Sequence, residues 1–221
     1  MKQKFLRIVI FAATLLTSFN LCGQDRYCLS YDDLLNGRWD TVSQIKCIGR
    51  SKGQQIWAGG SIYTMKTGDK AIDKILKKKA LAVIVNDSLY INCLNLRYEK
   101  TGFGLGYAKA RLIGNDKIIF VNRLIGREMQ NEAIAAGYFL GAIGTALAAS
   151  DQRKNQVCYI ISEGEDKKGR INIQLVDDKI LRKLIEHDKE LRLDYNLRSK
   201  EERKSIQYIM AILEKGGLFT R

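Results

Sequence analysis

Asp32, Asp33 and Asp40 near the N-terminus and His187 near the C-terminus are the side chains whose chemistry invites a catalytic reading. Paired carboxylates can hold different proton affinities and serve as acid and base in glycoside-type hydrolysis. Asp32 and Asp33 are adjacent in Tyr-Asp-Asp-Leu-Leu, however, and acidic pairs at that place are the usual residues of a helix start. A Ser-His-Asp or Cys-His centre would have to use His187, the one histidine of the 221 residues. It stands between Glu186 and Asp188 at the junction of two helical patterns, where a solvated imidazole is expected. No catalytic residue and no cofactor is assigned, and an Asp-based hydrolase ranks third among the functional readings.

Cys47, Cys93 and Cys158 each sit in an apolar, strand-like context, where a free cysteine packs as a small hydrophobe. With Cys28 they allow three pairings, among which the N-terminal spacing makes Cys28 to Cys47 conceivable. No Cys-x-x-Cys occurs, and one histidine cannot complete a usual zinc set, so no metal site is assigned. The glycines of Thr101-Gly-Phe-Gly-Leu-Gly-Tyr alternate strictly, a spacing wrong for a phosphate cradle. With period 2 they predict a strand with Phe103, Leu105 and Tyr107 on one face and Gly102, Gly104 and Gly106 as a flat track on the other. Gly49 to Gly53 is basic but lacks the spacing of a P-loop, and reads as a loop.

Two features bear on binding. Lys70, Lys74, Lys77, Lys78 and Lys79 form the densest positive charge in the chain, around a helix capped by Asp69 with Ile72, Ile75 and Leu76 on its apolar side. The patch is either a solvated face or a site for anions or a membrane surface. Residues 133–150 carry no charge, and Ala133, Gly137, Gly141, Thr145 and Ala149 recur every four residues, with Gly144 widening the stripe. Small residues so spaced let helix backbones approach closely. The segment is a little short to span a bilayer. It is expected to pack on its own sheet, with the glycine track as one place for it, or to mediate self-association or membrane docking.

The elements that must position these residues are hairpins and short helices. Ala80 to Val85 and Ser88 to Leu96 flank Asn86-Asp87, and Lys109 to Ile113 and Lys117 to Asn122 flank Gly114-Asn115-Asp116, which predicts two hairpins of one meander. Tyr31 to Trp39 predicts a helical turn ending at Gly37, and 44–48 and 55–66 predict strands. Gln156 to Ser162 and Arg170 to Val176 predict a third hairpin. Three helices follow, one starting at Asp177 or Asp178, one carrying Leu191, Leu193, Tyr195 and Leu197, and one opened by the Ser199 and Glu202 capping box and stopped at Gly216-Gly217. The fold class is α+β, with antiparallel hairpins, a Gly/Ala-rich helical segment at 132–150 set between them and the C-terminal unit, and three short final helices.

Residues 1–23 read as an export signal, with Lys2, Lys4 and Arg7 before the apolar run Ile8 to Leu16. Cleavage is expected between Gly23 and Gln24; the alternative is lipidation at Cys22, which would make an outer-membrane lipoprotein, although Phe19, Asn20 and Leu21 form a poor lipobox. Removing the leader leaves a single domain, 24–221, with the net charge falling from +13 to +10. Such a balance favours anionic partners, which outside the cytoplasm are envelope surfaces and not nucleic acid. No small-molecule substrate is identified.

The chain resembles a family of uncharacterised exported proteins of the Bacteroidota, a domain of unknown function. The resemblance is carried by the leader ending before Gln24, by Asn86-Asp-Ser-Leu-Tyr-Ile-Asn92, by the small residues around Gly137 to Gly144, and by the strand, loop, strand and helices from Val157 to Leu213. Members often show a Thr-Gly-Lys turn in the late hairpin, where this chain has Lys167-Lys-Gly-Arg170. The resemblance implies export and an α+β fold, with no catalytic residue to carry over. The expectation is an exported, non-enzymatic periplasmic or envelope protein acting by binding or assembly. A membrane-integrated accessory protein anchored by the 133–149 helix is the runner-up.

Overall fold

The computed structural model describes residues 24–57, 61–125, 156–165 and 171–220. Its strands are β1 (Arg26–Cys28), β2 (Asp40–Thr41), β3 (Lys46–Gly49), β4 (Tyr63–Lys66), β5 (Ala82–Val85), β6 (Ser88–Asn92), β7 (Arg97–Tyr98), β8 (Thr101–Gly102), β9 (Tyr107–Ile113), β10 (Lys117–Arg123), β11 (Gln156–Glu165), β12 (Ile171–Leu175) and β13 (Phe219–Thr220). Its helices are α1 (Tyr31–Leu35), α2 (Lys52–Trp57), α3 (Lys70–Lys78), α4 (Asp178–Leu184), α5 (Lys189–Leu197), α6 (Lys200–Lys204) and α7 (Ile206–Lys215). The α+β class expected from the sequence is the observed one.

The three hairpins form as their turns dictate. Asn86 and Asp87 take φ of 47° and 57°, the left-handed pair that a two-residue hairpin turn needs, and Val85 faces Ser88 across it. Gly114 takes φ of 57° in the loop that sets Ile113 opposite Lys117. β11 and β12 pair from Tyr159 opposite Leu175 onward. All the ladders are antiparallel, in the order β12-β11-β10-β9-β6-β5-β1-β2.

Strand β9 belongs to two halves of this sheet. Its first residues pair with β6 and, at Tyr107, with β4; its last pair with β10 and β13. Alternation then separates three cores. One face buries Cys28, Ala82, Ile91, Cys93, Ala108, Ala110, Ile118, Phe120, Tyr159 and Ile161 together. At its centre the Tyr159 ring stacks on Phe120 and meets Phe103 edge-on at 4.8 Å, while its hydroxyl accepts from the Ile125 N–H. On the other face, Ile113, Ile119, Cys158 and Ile160 pack against Leu181, Ile185, Leu191, Ile209 and Leu213 of the C-terminal helices. At the far half, Tyr27, Val83, Val85 and Tyr107 pack against Leu76 of α3 and Met65 of β4.

Several expectations need correction. Residues 101–107 are not one strand: Thr101 and Gly102 belong to β8 and Tyr107 opens β9, and between them Gly104 and Gly106 take φ of 85° and 97°. Phe103 therefore enters the inner core and Tyr107 the far one, so they share no face. The idea of close backbone approach survives at Gly106 alone, where an added Cβ would stand 2.7 Å from the Tyr63 carbonyl and 3.4 Å from the Arg50 guanidinium. Gly106→Ala is expected to cost roughly 2–3 kcal/mol, from left-handed strain plus overpacking; an unchanged melting temperature would contradict this.

The stretch 55–66 predicted as a strand begins inside α2, and only Tyr63–Lys66 is β. Of the four apolar residues expected on α5, Leu191 and Tyr195 are buried, and Leu193 and Leu197 are 56% and 85% exposed. The final helix is two, α6 and α7, because Ser205 leaves helical geometry to cap α7 through the Tyr208 N–H. The predicted capping box of Ser199 and Glu202 is present in full. Cys28 and Cys47 are free thiols in different cores, Cys28 on the inner face and Cys47 against the far one. Cys22 and the small-residue stripe Ala133, Gly137, Gly141, Gly144, Thr145 and Ala149 lie outside the described residues.

Candidate functional site

Helix α3 is built to hold lysines outward. Asp69 starts it, its carboxylate accepting from the N–H groups of Ala71 and Ile72. Ile72, Ile75 and Leu76 face the far core, with Leu76 fully buried. At 100° per residue, Lys70, Lys74, Lys77 and Lys78 fall within an arc of about 100° on the opposite side. They and Lys79 are all exposed.

The C-terminal end of the helix is pinned by two buried side chains. The Asn92 amide donates to the Leu76 and Ala80 carbonyls at 3.1 and 2.9 Å, and its oxygen accepts from the Leu94 N–H. Tyr107 donates its hydroxyl to the Leu76 carbonyl at 2.6 Å. Burial raises the Tyr107 pKa beyond the ordinary phenol range, so the proton stays on that bond. These side chains satisfy carbonyls that the helix end leaves orphaned. Lys77 and Lys78 stand in the last turn, where the helix dipole favours cations.

Electrostatics on this face are one-sided. Like charges at i and i+4, as at Lys70/Lys74 and Lys74/Lys78, oppose the helix by a few tenths of a kcal/mol each. None of the five lysines forms an ion pair among the described residues. The one carboxylate within the helix, Asp73, is turned aside: it accepts from the Thr67 N–H at 2.6 Å and the Thr67 hydroxyl at 2.9 Å. Those bonds hold its pKa below the usual carboxylate range, the Thr67 N–H foremost. Because the folded value is depressed, this tie between β4 and α3 is complete at neutral pH and is lost only as pH falls through the lowered value.

Folding adds cations that the sequence pattern did not group with the helix. Lys66 of β4 lies directly across from Lys46 of β3, and both are exposed. A cavity of ≈ 270 Å³ beside α3 is lined by Lys66, Lys77, Asp73, Asn92, Tyr107 and Arg50. The Arg50 guanidinium donates to the Ser61 and Leu105 carbonyls at 3.0 Å, and partial burial lowers its pKa. The signal available in the sequence was the Lys46 and Lys66 register, which the mistaken strand over 55–66 concealed. Asp69→Ala should destabilise the protein by about 1 kcal/mol through loss of the cap. Urea unfolding would check it, and an unchanged midpoint would show that the cap contributes nothing.

The carboxylates suggested for acid–base chemistry are otherwise engaged. Asp32 and Asp33 both bind Arg38, Asp33 at 2.8 Å, and the Ser30 hydroxyl followed by Arg38 holds the Asp33 pKa low. Asp40 is exposed on β2 across from Tyr27. His187 is 92% exposed, with Glu186 at 3.3 Å as its contact. Burial pushes the thiols of Cys28 and Cys158 up to about 12 and that of Cys93 to about 11, far from a reactive thiolate. Among the described residues no three His, Cys, Asp or Glu side chains gather as metal ligands, and no helix is long and apolar enough to cross a membrane.

Comparison with known proteins adds a family without an activity. The family of unknown function DUF6563 matches residues 26–219, nearly the whole described fold, and the chain belongs to it. No curated protein and no solved structure matches the chain.

Proposed function

We propose that this member of the family is an exported, non-enzymatic binding protein of the bacterial envelope, of Bacteroidota type, that docks on anionic surfaces through the lysine face of α3. The observation that carries the reading is the exposed arc of Lys70, Lys74, Lys77 and Lys78, without an ion pair among the described residues and continued by Lys79 and Lys66. A convex helix face of exposed, flexible ammonium groups suits a broad anionic layer such as lipid headgroups, since lysine acts as a point charge and not as a shaped fork. The net charge, +13 for the whole chain and +10 without residues 1–23, adds long-range attraction. Export is supported by the leader-like residues 1–23 and by a family match that begins just after them.

The direct test is sedimentation with vesicles containing phosphatidylglycerol, against vesicles of phosphatidylcholine alone. Binding to the first and not the second, with release between about 0.05 M and about 0.5 M salt as screening shortens, is the expected result. Equal binding to both, or binding indifferent to salt, would exclude the electrostatic mechanism.

A further inference from the structure

We infer that the cleft between α4 and α5 is a second binding site, one that takes the phosphate group of a small organic phosphate. The cleft, ≈ 880 Å³, is of the size that holds such ligands. α4 lines it with Lys179, Arg182 and Lys183 and α5 with Arg192 and Asn196, residues at helical spacings of three and four that bring one face of each helix to the opening. The buried Tyr195 completes it from α5.

Two observations mark this cleft as different from an ordinary basic surface. The exposed arginines nearby have carboxylate partners: Arg111 binds Glu214, and Arg198 binds Asp194. The four cations of the cleft form no ion pair among the described residues, although Asp177 and Glu186 also line it. Asp177 is spent on capping α4 through the Ile180 N–H, and Glu186 stands at His187.

The second observation is the Tyr195 hydroxyl. Tyr195 is 1% exposed, and its hydroxyl is buried with no acceptor for its proton among the described residues. Its ring is flanked by the guanidinium groups of Arg182 at 5.2 Å and Arg203 at 4.8 Å, which hold it by cation–π attraction; Arg182 can donate to its oxygen, but neither cation can accept its proton. A buried donor left without an acceptor is costly, and an oxyanion in the cleft supplies the missing one. Arginine forks together with lysines and a hydroxyl donor match a doubly charged, tetrahedral oxyanion better than a single carboxylate. The site is separate from α3 and does not depend on the surface-docking reading.

Calorimetric titration of the full chain with inorganic phosphate tests the inference. The expected result is saturable binding with a dissociation constant of about a millimolar or tighter. Tyr195→Phe should weaken it about tenfold, as loss of a hydrogen bond to a charged group does. Arg182→Gln combined with Arg192→Gln, at exposed positions, should weaken it at least as much without disturbing the fold. Lys70, Lys74, Lys77 and Lys78 replaced together by Gln should leave phosphate affinity unchanged. Absence of saturable binding overturns the inference, as does wild-type affinity in either cleft variant, or loss of affinity in the lysine variant. Vesicles bearing phosphatidic acid that displace bound phosphate would identify a lipid headgroup as the natural source. Vesicles that fail to displace it would identify a soluble phosphate ester.

Discussion

Replacing Lys70, Lys74, Lys77 and Lys78 together by glutamine is expected to lower affinity for phosphatidylglycerol vesicles by up to roughly a thousandfold. Each lysine near an anionic leaflet contributes on the order of 1 kcal/mol, and the four share one exposed arc, so they reach a flat surface at once. The same substitution removes like-charge contacts along α3, so the variant should melt no lower than the parent. That pairing of outcomes separates a docking face from a structural one. Sedimentation at low salt together with thermal unfolding checks both. A variant that sediments like the parent would remove α3 as the docking element, and one that unfolds early would show that the lysines serve the fold.

Asn92→Leu is expected to destabilise the protein by roughly 3–5 kcal/mol. The change is close to isosteric, so little of the cost is a cavity; it comes from leaving the Leu76 and Ala80 carbonyls and the Leu94 N–H without their partner in a residue environment only 4% exposed. Each buried group left unsatisfied costs about 1–3 kcal/mol. For a chain of this size that corresponds to a fall in melting temperature of about 10 °C. Tyr107 still binds the Leu76 carbonyl, so the loss at that oxygen is partial. Retention of the parent melting temperature would show that water or a local shift replaces the amide. A protein that melts early but binds vesicles normally below its transition would confirm that Asn92 positions α3 without touching the surface.

Local chemistry was legible wherever it stood alone. Asn86-Asp87 and Gly114-Asn115-Asp116 announced their hairpins because few residues tolerate the left-handed backbone such turns need. Asp69, Ser199 and Gly217 marked helix ends for equally local reasons, and the register of β9 with β10 followed from the length of the loop. The lysine cluster was visible because a helix period and a charge count need no tertiary information.

What failed depended on neighbours distant in sequence. The alternating Gly102, Gly104 and Gly106 satisfied the strand period, yet Arg50 and the Tyr63 carbonyl press on Gly106 and require a backbone no strand has. The sequence placed Leu191, Leu193, Tyr195 and Leu197 on one helix without choosing among them, and packing on the sheet selects Leu191 and Tyr195. By itself, then, the sequence determined the hairpins, the caps, the α+β class and the existence of a basic helix, since these rest on backbone preferences within a few residues. Tertiary structure alone decided that β9 would serve two half-sheets, that Lys66 would join α3, and that four cations and a buried hydroxyl would meet between α4 and α5. Those are outcomes of long-range packing, in which burial of one face chooses which side chains are left facing water.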